Sequence, residues 1–199
     1  MKKTEITVEE IGFAVVDEDY VLEFIGRVAG ECYNSLKDRE RCINRALNNI
    51  KQGHHSPWEH YNVTLKCTVD RGVSHALVRH RHCAFTQSST IYQRMNELTF
   101  ITPTVLTDEL ACQIEQQYKT DLVNGITPGE ARDSLPNDLA TNLVITTNIR
   151  QWMYMIQRRN GAGDSAKMHI WCAKIRAWFE KTYPLITKAF DDWYLKHPL

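Results

Sequence analysis

The stretch of sequence that decides the fold reads, in order, GHHSPWEH (53–60), NVTLKCTVD (62–70), RGVSHALVRHRH (71–82) and CAFTQSSTIYQR (83–94). It contains six of the chain's eight histidines, several closely spaced arginines and a run of small hydroxyl residues. Arginine forks match phosphate oxygens, and hydroxyl groups supply additional hydrogen-bond donors. This density of donors predicts a site for an anionic ligand.

Alternation of apolar and polar residues identifies a strand within this stretch. Four apolar residues occupy every second position, namely Val63, Leu65, Cys67 and Val69. This period of two is typical of a half-buried β-strand. After the break that follows Val69, Ser74 is a suitable N-cap for a short helix that includes His80. Residues 83–91 are predicted to form an ordered loop, and residues 98–103 (LTFITP) a further short strand.

The rest of the chain reads mainly as helices, because apolar residues recur three or four positions apart. The predicted elements are a strand at 11–16 (IGFAVV), a helix at 19–31, a helix capped by Asp38, a helix opening with the 127–130 capping box, a long helix from Pro136 to about Arg159, and a helix at 166–183. Gly161–Gly163 separates the last two. The sequence shows no internal repeat or linker, so we expect a single domain over residues 1–199.

Composition limits the classes of function. Lysine plus arginine equals aspartate plus glutamate, 24 each, so the chain has no bulk positive charge with which to bind nucleic acid. No apolar run approaches the roughly 18–20 residues that a membrane span needs. The start, MKKTEITVEE, turns acidic where a signal peptide would become apolar. We therefore expect a cytoplasmic protein with neither nucleic acid nor membrane as a partner.

The six cysteines are scattered and include no CxxC pair. This pattern favours reduced, mostly buried thiols over a disulfide framework or a zinc ribbon. We expect the cysteines to be structural.

The most informative cluster is Arg79-His80-Arg81, since adjacent cations are costly without an anion nearby. The hydroxyl run at 88–90 follows a few residues later, and Arg132, Arg150 and Arg159 lie on predicted helices with apolar faces. Several arginines with few nearby acids suggest a ligand with more than one phosphate. The alternative for each arginine is an ordinary solvated or salt-bridged surface group.

Two other kinds of site deserve comparison. The histidines and Cys83 are all capable metal ligands, but GHHSPWEH is not HExxH and the spacings fit no common zinc site. The string at 161–166 satisfies GxGxxA, yet a dinucleotide fingerprint requires a preceding strand, and a helix is predicted there. We interpret this string as a helix break.

Several motifs in register resemble those of the flavin-dependent thymidylate synthases. They are GHHSPWEH, RGVSHALVRHRH, FTQSST-x-Y, EARDSLP (130–136) and TTNIRQW (146–152), with Arg159 and Ala166 beyond them, about residues 28–178 in all. The resemblance implies an α/β (α+β) fold with a mostly antiparallel central sheet flanked by helices and a helical C-terminal half. It also implies a homotetramer whose active sites are assembled from several subunits, with FAD bound between them.

The activity implied by the resemblance is methylation of dUMP at C5. Methylenetetrahydrofolate supplies the one-carbon unit, and NADPH reduces the flavin, which supplies the hydride. The family uses no cysteine nucleophile, in accord with the absence of any cysteine in an activated sequence setting here.

The resemblance also assigns roles residue by residue. The positions that contact flavin are Ser56, Arg79, His80, Arg81, Gln87, Asn148, Arg150 and Tyr154, and His54 falls where folate and flavin meet. The positions on the nucleotide side are Arg79, Gln87, Ser88, Ser89, Thr90, Ile91, Arg132 and Arg159. Arg159 corresponds to the arginine that polarises the pyrimidine, a catalytic role suited to a permanent cation beside N3–O4.

Departures from the family pattern concentrate on the nucleotide side. Ile91 stands where the family has arginine, Ala76 where it has glutamine or glutamate, and Lys167 where it has glutamine or histidine. Arg94 or Lys167 could replace the missing charge, leaving an ordinary thymidylate synthase. Alternatively, the pocket accepts another pyrimidine nucleotide or yields a 5-hydroxymethyl product, or the chain binds flavin and nucleotide without catalysis.

Overall fold

The computed structural model describes residues 1–11, 16–32 and 38–199. The strands are β1 Lys2–Thr4, β2 Thr7–Glu10, β3 Asn62–Asp70, β4 Ala84–Gln87, β5 Thr99–Ile101 and β6 Ala140–Asn148. The helices are α1 Glu18–Glu31, α2 Arg39–Lys51, α3 Arg71–Leu77, α4 Asp108–Val123, α5 Pro128–Ala131, α6 Ile149–Arg158, α7 Ala166–Thr182 and α8 Pro184–Lys196. Two 3-10 turns lie at Ser56–His60 and Arg132–Ser134.

A four-stranded antiparallel sheet in the order β2-β3-β6-β4 forms the centre of the fold. In the β3–β6 ladder, Leu65 faces Ile145 and Cys67 faces Leu143, and all four side chains are buried. Strands β1 and β5 form a separate parallel pair. This arrangement confirms the predicted α+β class, a mostly antiparallel sheet flanked by helices.

The helices cover the sheet with a layer rich in aromatic residues. Helix α1 packs on α2, α2 on α8, and α8 on α7. Trp58, Trp152 and Trp171 are fully buried in this layer. The Trp152 indole donates to the Val63 carbonyl over 3.1 Å, which fixes α6 against β3. None of the helices in the described part of the chain has the length and apolar content that a membrane span requires.

The prediction of one helix from Pro136 to about Arg159 is wrong for its first half. Residues 140–148 form β6, which pairs along its whole length with β3. Thr141, Leu143, Ile145 and Thr147 are buried on one face, and the segment is rich in β-branched residues that favour strands. The helix begins only at Ile149, where Asn148 caps it.

Smaller corrections concern the stretch around α3. The N-cap of α3 is Asp70, whose carboxylate accepts from the Val73 N–H over 2.6 Å, and Ser74 lies inside the helix. The segment predicted as a loop contains β4, which pairs with β6. The strand predicted at 11–16 falls largely outside the described residues.

The helix predicted to include His80 ends at Leu77, so His80 lies in the turn after α3. The following predicted caps and boundaries agree with the structure. Asp38 caps α2, Ser165 caps α7, and Glu130 accepts from the Thr127 N–H at the start of α5. The strand predicted within 98–103 is β5. Pro184 ends the preceding helix and begins α8, and Gly161–Gly163 separates α6 from α7.

Candidate active site

A cleft of about 650 Å³ lies where the turn after α3, the start of α6 and the end of α8 meet. It is lined by six of the residues that the sequence singles out, namely Arg79, His80, Arg81, Asn148, Arg150 and Tyr154. The structure therefore brings together two motifs that lie about seventy residues apart in the sequence.

Arg79 and Arg81 project from the turn that ends α3. The His80 N–H donates to the Leu77 carbonyl over 3.0 Å, so the chain turns tightly directly after the helix. Both arginine side chains are exposed, and neither forms an ion pair with any residue that the structure describes. Their charges are therefore available to an anionic ligand.

The N-terminus of α6 forms the opposite wall of the cleft. The Asn148 side chain accepts from the Gln151 N–H over 2.8 Å, and the positive end of the helix dipole faces the same space. Arg150 extends from the first turn and forms an ion pair with Glu59. This carboxylate partly neutralises the cleft and fixes the Arg150 side chain.

Arg159 contacts residues of this cleft and of a second cavity, although it is not itself among the residues that line either of them. Its Nε donates to Nε2 of His80 over 3.0 Å, and one terminal nitrogen donates to the Ala76 carbonyl over 2.8 Å. The other terminal nitrogen lies 3.6 Å from an Asp164 carboxylate oxygen. His80 lines the first cleft, whereas Ala76 and Asp164 line a cavity of about 600 Å³. Three partners thus fix the guanidinium between the two spaces.

His80 is neutral in this arrangement, because its Nε2 must accept the hydrogen bond from Arg159. Burial lowers the pKa of His80 below its ordinary value, and the nearby Arg159 and Arg158 lower it further. The Tyr154 ring meets the imidazole edge-on, with ring centroids 6.2 Å apart. Tyr154 is partly exposed in the cleft, where it offers an aromatic surface.

Lys167 is not free to replace a missing positive charge. Its amine lies 3.1 Å from Asp70 and 2.5 Å from Asp138, and its side chain is only 11% exposed. Two carboxylates therefore neutralise the amine inside the second cavity. These two ion pairs argue against the suggestion that Lys167 compensates for Ile91.

The hydroxyl run at 88–90 follows β4. The Ser88 N–H donates to the Asn142 carbonyl over 2.9 Å, and the Ser89 hydroxyl accepts from the Ile91 N–H over 3.2 Å. Thr90 accepts a hydrogen bond from Arg71 over 3.3 Å. The Ile91 side chain is 44% exposed and lies beside Gly129 of α5. This segment lies apart from the residues that line the cleft.

Four predicted site residues also lie away from the cleft in the single chain. His54 and Ser56 are exposed in the segment around the first 3-10 turn, and the neighbouring His55 and Glu59 line the cleft instead. The Gln87 amide donates to the Ser74 and Thr141 hydroxyls over 3.0 and 3.2 Å. Arg132 is half-buried in the second 3-10 turn.

Several cleft residues have no flavin or nucleotide role in the family pattern. They are His55, Gln151, Trp193, Tyr194 and Leu199. His55 is distinguishable from its histidine neighbours only by its environment, since burial lowers its pKa and its ring packs against Phe190 and Trp193. Trp193 and Tyr194 reach the cleft because α8 returns to α2 at the far end of the chain.

The cysteines and the candidate metal ligands lie scattered over the part of the chain that the structure describes. No disulfide joins the six cysteines, of which Cys42, Cys67 and Cys172 are buried, Cys83 is half-buried, and Cys32 and Cys112 are exposed. Burial raises the pKa of Cys67 to about 11 and that of Cys172 to about 12. Among residues 1–11, 16–32 and 38–199, no three histidine, cysteine or acidic side chains converge as a metal site would require.

Comparisons with known proteins agree on one family. The family described as thymidylate synthase complementing protein matches residues 15–185. A flavin-dependent thymidylate synthase from Corynebacterium aurimucosum is 25% identical over 215 residues, covering 94% of this chain and 84% of the relative. One from Mycolicibacterium gilvum is 29% identical over 179 residues, covering 75% of this chain and 70% of the relative.

A solved structure shares the fold. It is a UMP/dUMP methylase PolB from Streptomyces cacaoi bound with 5-Br dUMP, which is 20% identical with a TM-score of 0.76. The match covers 96% of this chain and 97% of that one. Since the family match spans 171 of the 199 residues (15–185), the chain belongs to the thymidylate synthase complementing protein family.

Proposed function

We propose that this protein transfers a one-carbon unit to C5 of a pyrimidine deoxynucleotide, converting dUMP to dTMP. FAD is the proposed cofactor, methylenetetrahydrofolate the proposed one-carbon donor, and NADPH the proposed reductant. Family membership, the relatives named flavin-dependent thymidylate synthase, and a structural neighbour named as a UMP/dUMP methylase support the proposal.

The observation that carries the proposal is the charge of the cleft. Arg79, Arg81 and Arg150 line it, and Glu59 is the one acidic side chain among the described residues that line it. Together with the N-terminus of α6, these cations suit the pyrophosphate of a dinucleotide. Tyr154 adds an aromatic face against which a planar ring would stack. The residues present therefore fit FAD in charge and in chemistry.

Arg159 is the residue we assign to catalysis. When bound and reduced, the flavin would supply the hydride that converts a transferred methylene group into a methyl group. The permanent cation of Arg159 beside N3–O4 would stabilise the negative charge that develops on the pyrimidine. Its three partners hold the guanidinium in place before the substrate arrives, so little reorganisation accompanies the reaction.

The remaining assignments follow the family pattern. We propose flavin contacts from Arg79, His80, Arg81, Asn148, Arg150 and Tyr154, which line the cleft. We propose contacts to folate, flavin or nucleotide from residues that lie elsewhere on the chain, namely His54, Ser56, Gln87, Ser88, Ser89, Thr90, Ile91 and Arg132. In a homotetramer, these residues would meet the cleft of another subunit.

We propose that residues 1–199 form a single domain. Four such chains would assemble into the homotetramer, which we propose acts in the cytoplasm. One face of the sheet supports this assembly. Thr64, Lys66, Thr146 and Ala84 lie on that face, and each is half-buried or exposed in the single chain. A partner subunit would cover it. Sedimentation analysis measures the assembly directly, and a monomer at micromolar concentration would contradict this part of the proposal.

The test of function is turnover by the purified protein. The protein should retain a yellow chromophore, and with dUMP, methylenetetrahydrofolate and NADPH it should release dTMP, identified by mass. Parallel reactions with UMP and dCMP address the alternative that Ile91 and Ala76 alter the nucleotide accepted. A product heavier than dTMP by one oxygen would indicate hydroxymethyl transfer. Bound flavin without product from any nucleotide would indicate a non-catalytic binding protein and would overturn the proposed activity.

A further inference from the structure

The segment that carries Ser88, Ser89 and Thr90 includes a cation from another element. The Arg71 Nη1 donates to the Thr90 hydroxyl over 3.3 Å, although nineteen residues separate them in the sequence. We infer that Arg71 binds the phosphate of the pyrimidine nucleotide at this segment and replaces the arginine that the family has at position 91. This inference rests on the proposed function.

Arg71 is well fixed for such a role. It is the first residue of α3, and its backbone N–H donates to the Leu139 carbonyl over 3.1 Å, so its Cα is anchored to the end of the loop before β6. Its side chain is half-buried, which restricts the positions the guanidinium can take. The arginine therefore reaches the hydroxyl segment from a rigid base.

The guanidinium also has unused hydrogen-bonding capacity. Arginine has five N–H donors, and within the described ranges the Arg71 side chain uses one of them, toward Thr90. No carboxylate in that part of the chain forms an ion pair with it. Asp70, its neighbour, is directed instead toward Lys167 and the Val73 N–H. An unneutralised fork beside hydroxyl groups is suited to a phosphate.

The other candidates for the missing charge are less well placed. Lys167 is neutralised by two carboxylates in the second cavity. Arg94 is exposed, and no hydrogen bond joins its side chain to the hydroxyl segment in the described structure. Ile91 points to Gly129, with its Cγ2 3.6 Å from where a β-carbon on that glycine would lie. The side chain at 91 thus contacts α5, while Arg71 supplies the charge at Thr90.

The test measures the affinity of the flavin-loaded protein for dUMP and for 2′-deoxyuridine by calorimetry. Arg71→Ala should weaken dUMP binding by roughly 10- to 100-fold, because a charge-assisted contact to phosphate is lost. Binding of 2′-deoxyuridine should change less than twofold, because that ligand has no phosphate. Inorganic phosphate should compete with dUMP on the wild-type protein and much less on Arg71→Ala.

Two further variants and a stability measurement test whether a loss of dUMP affinity in Arg71→Ala comes from a lost phosphate contact or from damage to the fold. The double variant Arg71→Ala with Ile91→Arg should recover most of the dUMP affinity, because it returns the cation to the family's position. Arg94→Ala tests the competing assignment and should lose little affinity. A thermal unfolding midpoint for Arg71→Ala close to that of the wild type would show that the fold is intact.

The outcomes distinguish this inference from the proposed function. Unchanged dUMP affinity in Arg71→Ala, an equal loss for dUMP and 2′-deoxyuridine, or a loss confined to Arg94→Ala would overturn the role of Arg71 while leaving the proposed activity standing. Arg71-dependent binding of dUMP without turnover would support the role of Arg71 and overturn the proposed activity. A wild-type protein that binds none of dUMP, UMP and dCMP would overturn both.

Discussion

The Nε of Arg159 donates a hydrogen bond to Nε2 of His80 over 3.0 Å. This contact joins the end of α6 to the turn after α3, across 79 positions of sequence. It requires a neutral imidazole with its proton on Nδ1, because guanidinium has no acceptor to offer. The charge state of His80 therefore determines whether this hydrogen bond can hold Arg159, the proposed catalytic arginine, in place.

Protonation of His80 should destabilise the protein at mildly acidic pH. Burial, Arg159 and Arg158 lower the pKa of His80 below its ordinary value of 6.5, so the unfolded chain takes up this proton first as the pH falls. The stabilising contribution is complete above about pH 6.5 and declines as the pH falls toward the folded-state pKa. Thermal midpoints measured from pH 8 to pH 5 should fall less steeply for His80→Gln than for the wild type.

His55 provides an internal comparison for that measurement, since burial also lowers its pKa. The thermal midpoint of His80→Gln should therefore still fall as the pH is lowered from 8 to 5. This fall should be smaller again in a variant that lacks both His80 and His55. Identical slopes for the wild type and for both variants would contradict the assignment of neutral imidazoles.

Replacement of Arg159 by lysine should reduce turnover with little loss of flavin. Lysine keeps the charge but lacks the planar fork that contacts His80, the Ala76 carbonyl and Asp164 together. Loss of one preorganised donor to a developing anion commonly costs about 100-fold in kcat. Steady-state kinetics should give a loss of about that size, and the visible absorbance should report the retained flavin.

Asp164→Asn is the matched control for Arg159→Lys. Asp164 lies 3.6 Å from the guanidinium and is expected to position it without touching the substrate. A smaller loss of kcat is expected, because the His80 and Ala76 contacts remain. If Arg159→Lys kept full turnover, the catalytic assignment of Arg159 would be wrong.

The cleft is predictable to a useful degree because its cations are local in sequence. Arg79 and Arg81 lie within three residues, and the repulsion between their charges favours a nearby anion. Strand β3 is equally local, since strict alternation with a period of two specifies which face is buried. The neutral state of His80 is not local, because it depends on the approach of Arg159 from α6.

Strand β6 shows where the sequence pattern is ambiguous. Leu139, Leu143 and Ile149 can be placed on a helical stripe that continues into the real helix α6. The buried face of β6 includes Thr141 and Thr147, and polar residues at those positions conceal the period of two. Pairing with β3 decides between the two structures, and that tertiary contact is not visible in a local window.

Arg71 shows a second limit of local patterns. It lies within the donor-rich stretch 53–94, but its position before a glycine marks only the end of a strand, and no pattern in the sequence pairs it with the hydroxyl run at 88–90. The structure reveals its relation to Thr90 because β4 returns beside β6, which places the hydroxyl segment near the start of α3. A contact such as that between Arg71 and Thr90 depends on strand pairing between distant segments, so it is found only from the fold.

Lys167→Met should lower the free energy of unfolding by about 3 kcal/mol, because it leaves two partly buried carboxylates without their cation. Burial alone would raise the pKa of Asp138, but hydrogen bonds from Lys167 and Thr104 outweigh it and hold that pKa below its ordinary value. The contribution of Asp138 is present above about pH 4 and is lost as the pH falls through the folded-state pKa. Urea unfolding at pH 7 and at low pH measures both effects.

Lys174→Met is the control for this experiment. Lys174 lies on the same helix and pairs with Glu5 over 3.8 Å, but both side chains are at least 40% exposed. Its replacement should change stability by less than about 1 kcal/mol. Equal losses in the two variants would show that the buried carboxylates do not account for the effect of Lys167→Met.

The thiols should play no part in turnover. Burial raises the pKa of Cys67 to about 11 and that of Cys172 to about 12, so both remain protonated and unreactive at neutral pH. With a disulfide reagent at pH 8, the folded protein should react rapidly at the exposed Cys32 and Cys112, whereas in guanidinium all six cysteines should react. The double variant Cys32→Ser, Cys112→Ser should keep wild-type kcat, because neither thiol lies among the residues that line the cleft.

As the pH rises, the Cys67 thiol loses its proton in the unfolded chain before it does so in the folded protein. The stabilising contribution of the buried Cys67 thiol should therefore decline above about pH 9. Rapid modification of Cys67 in the folded protein, or loss of turnover in the double variant, would show that a cysteine is activated after all.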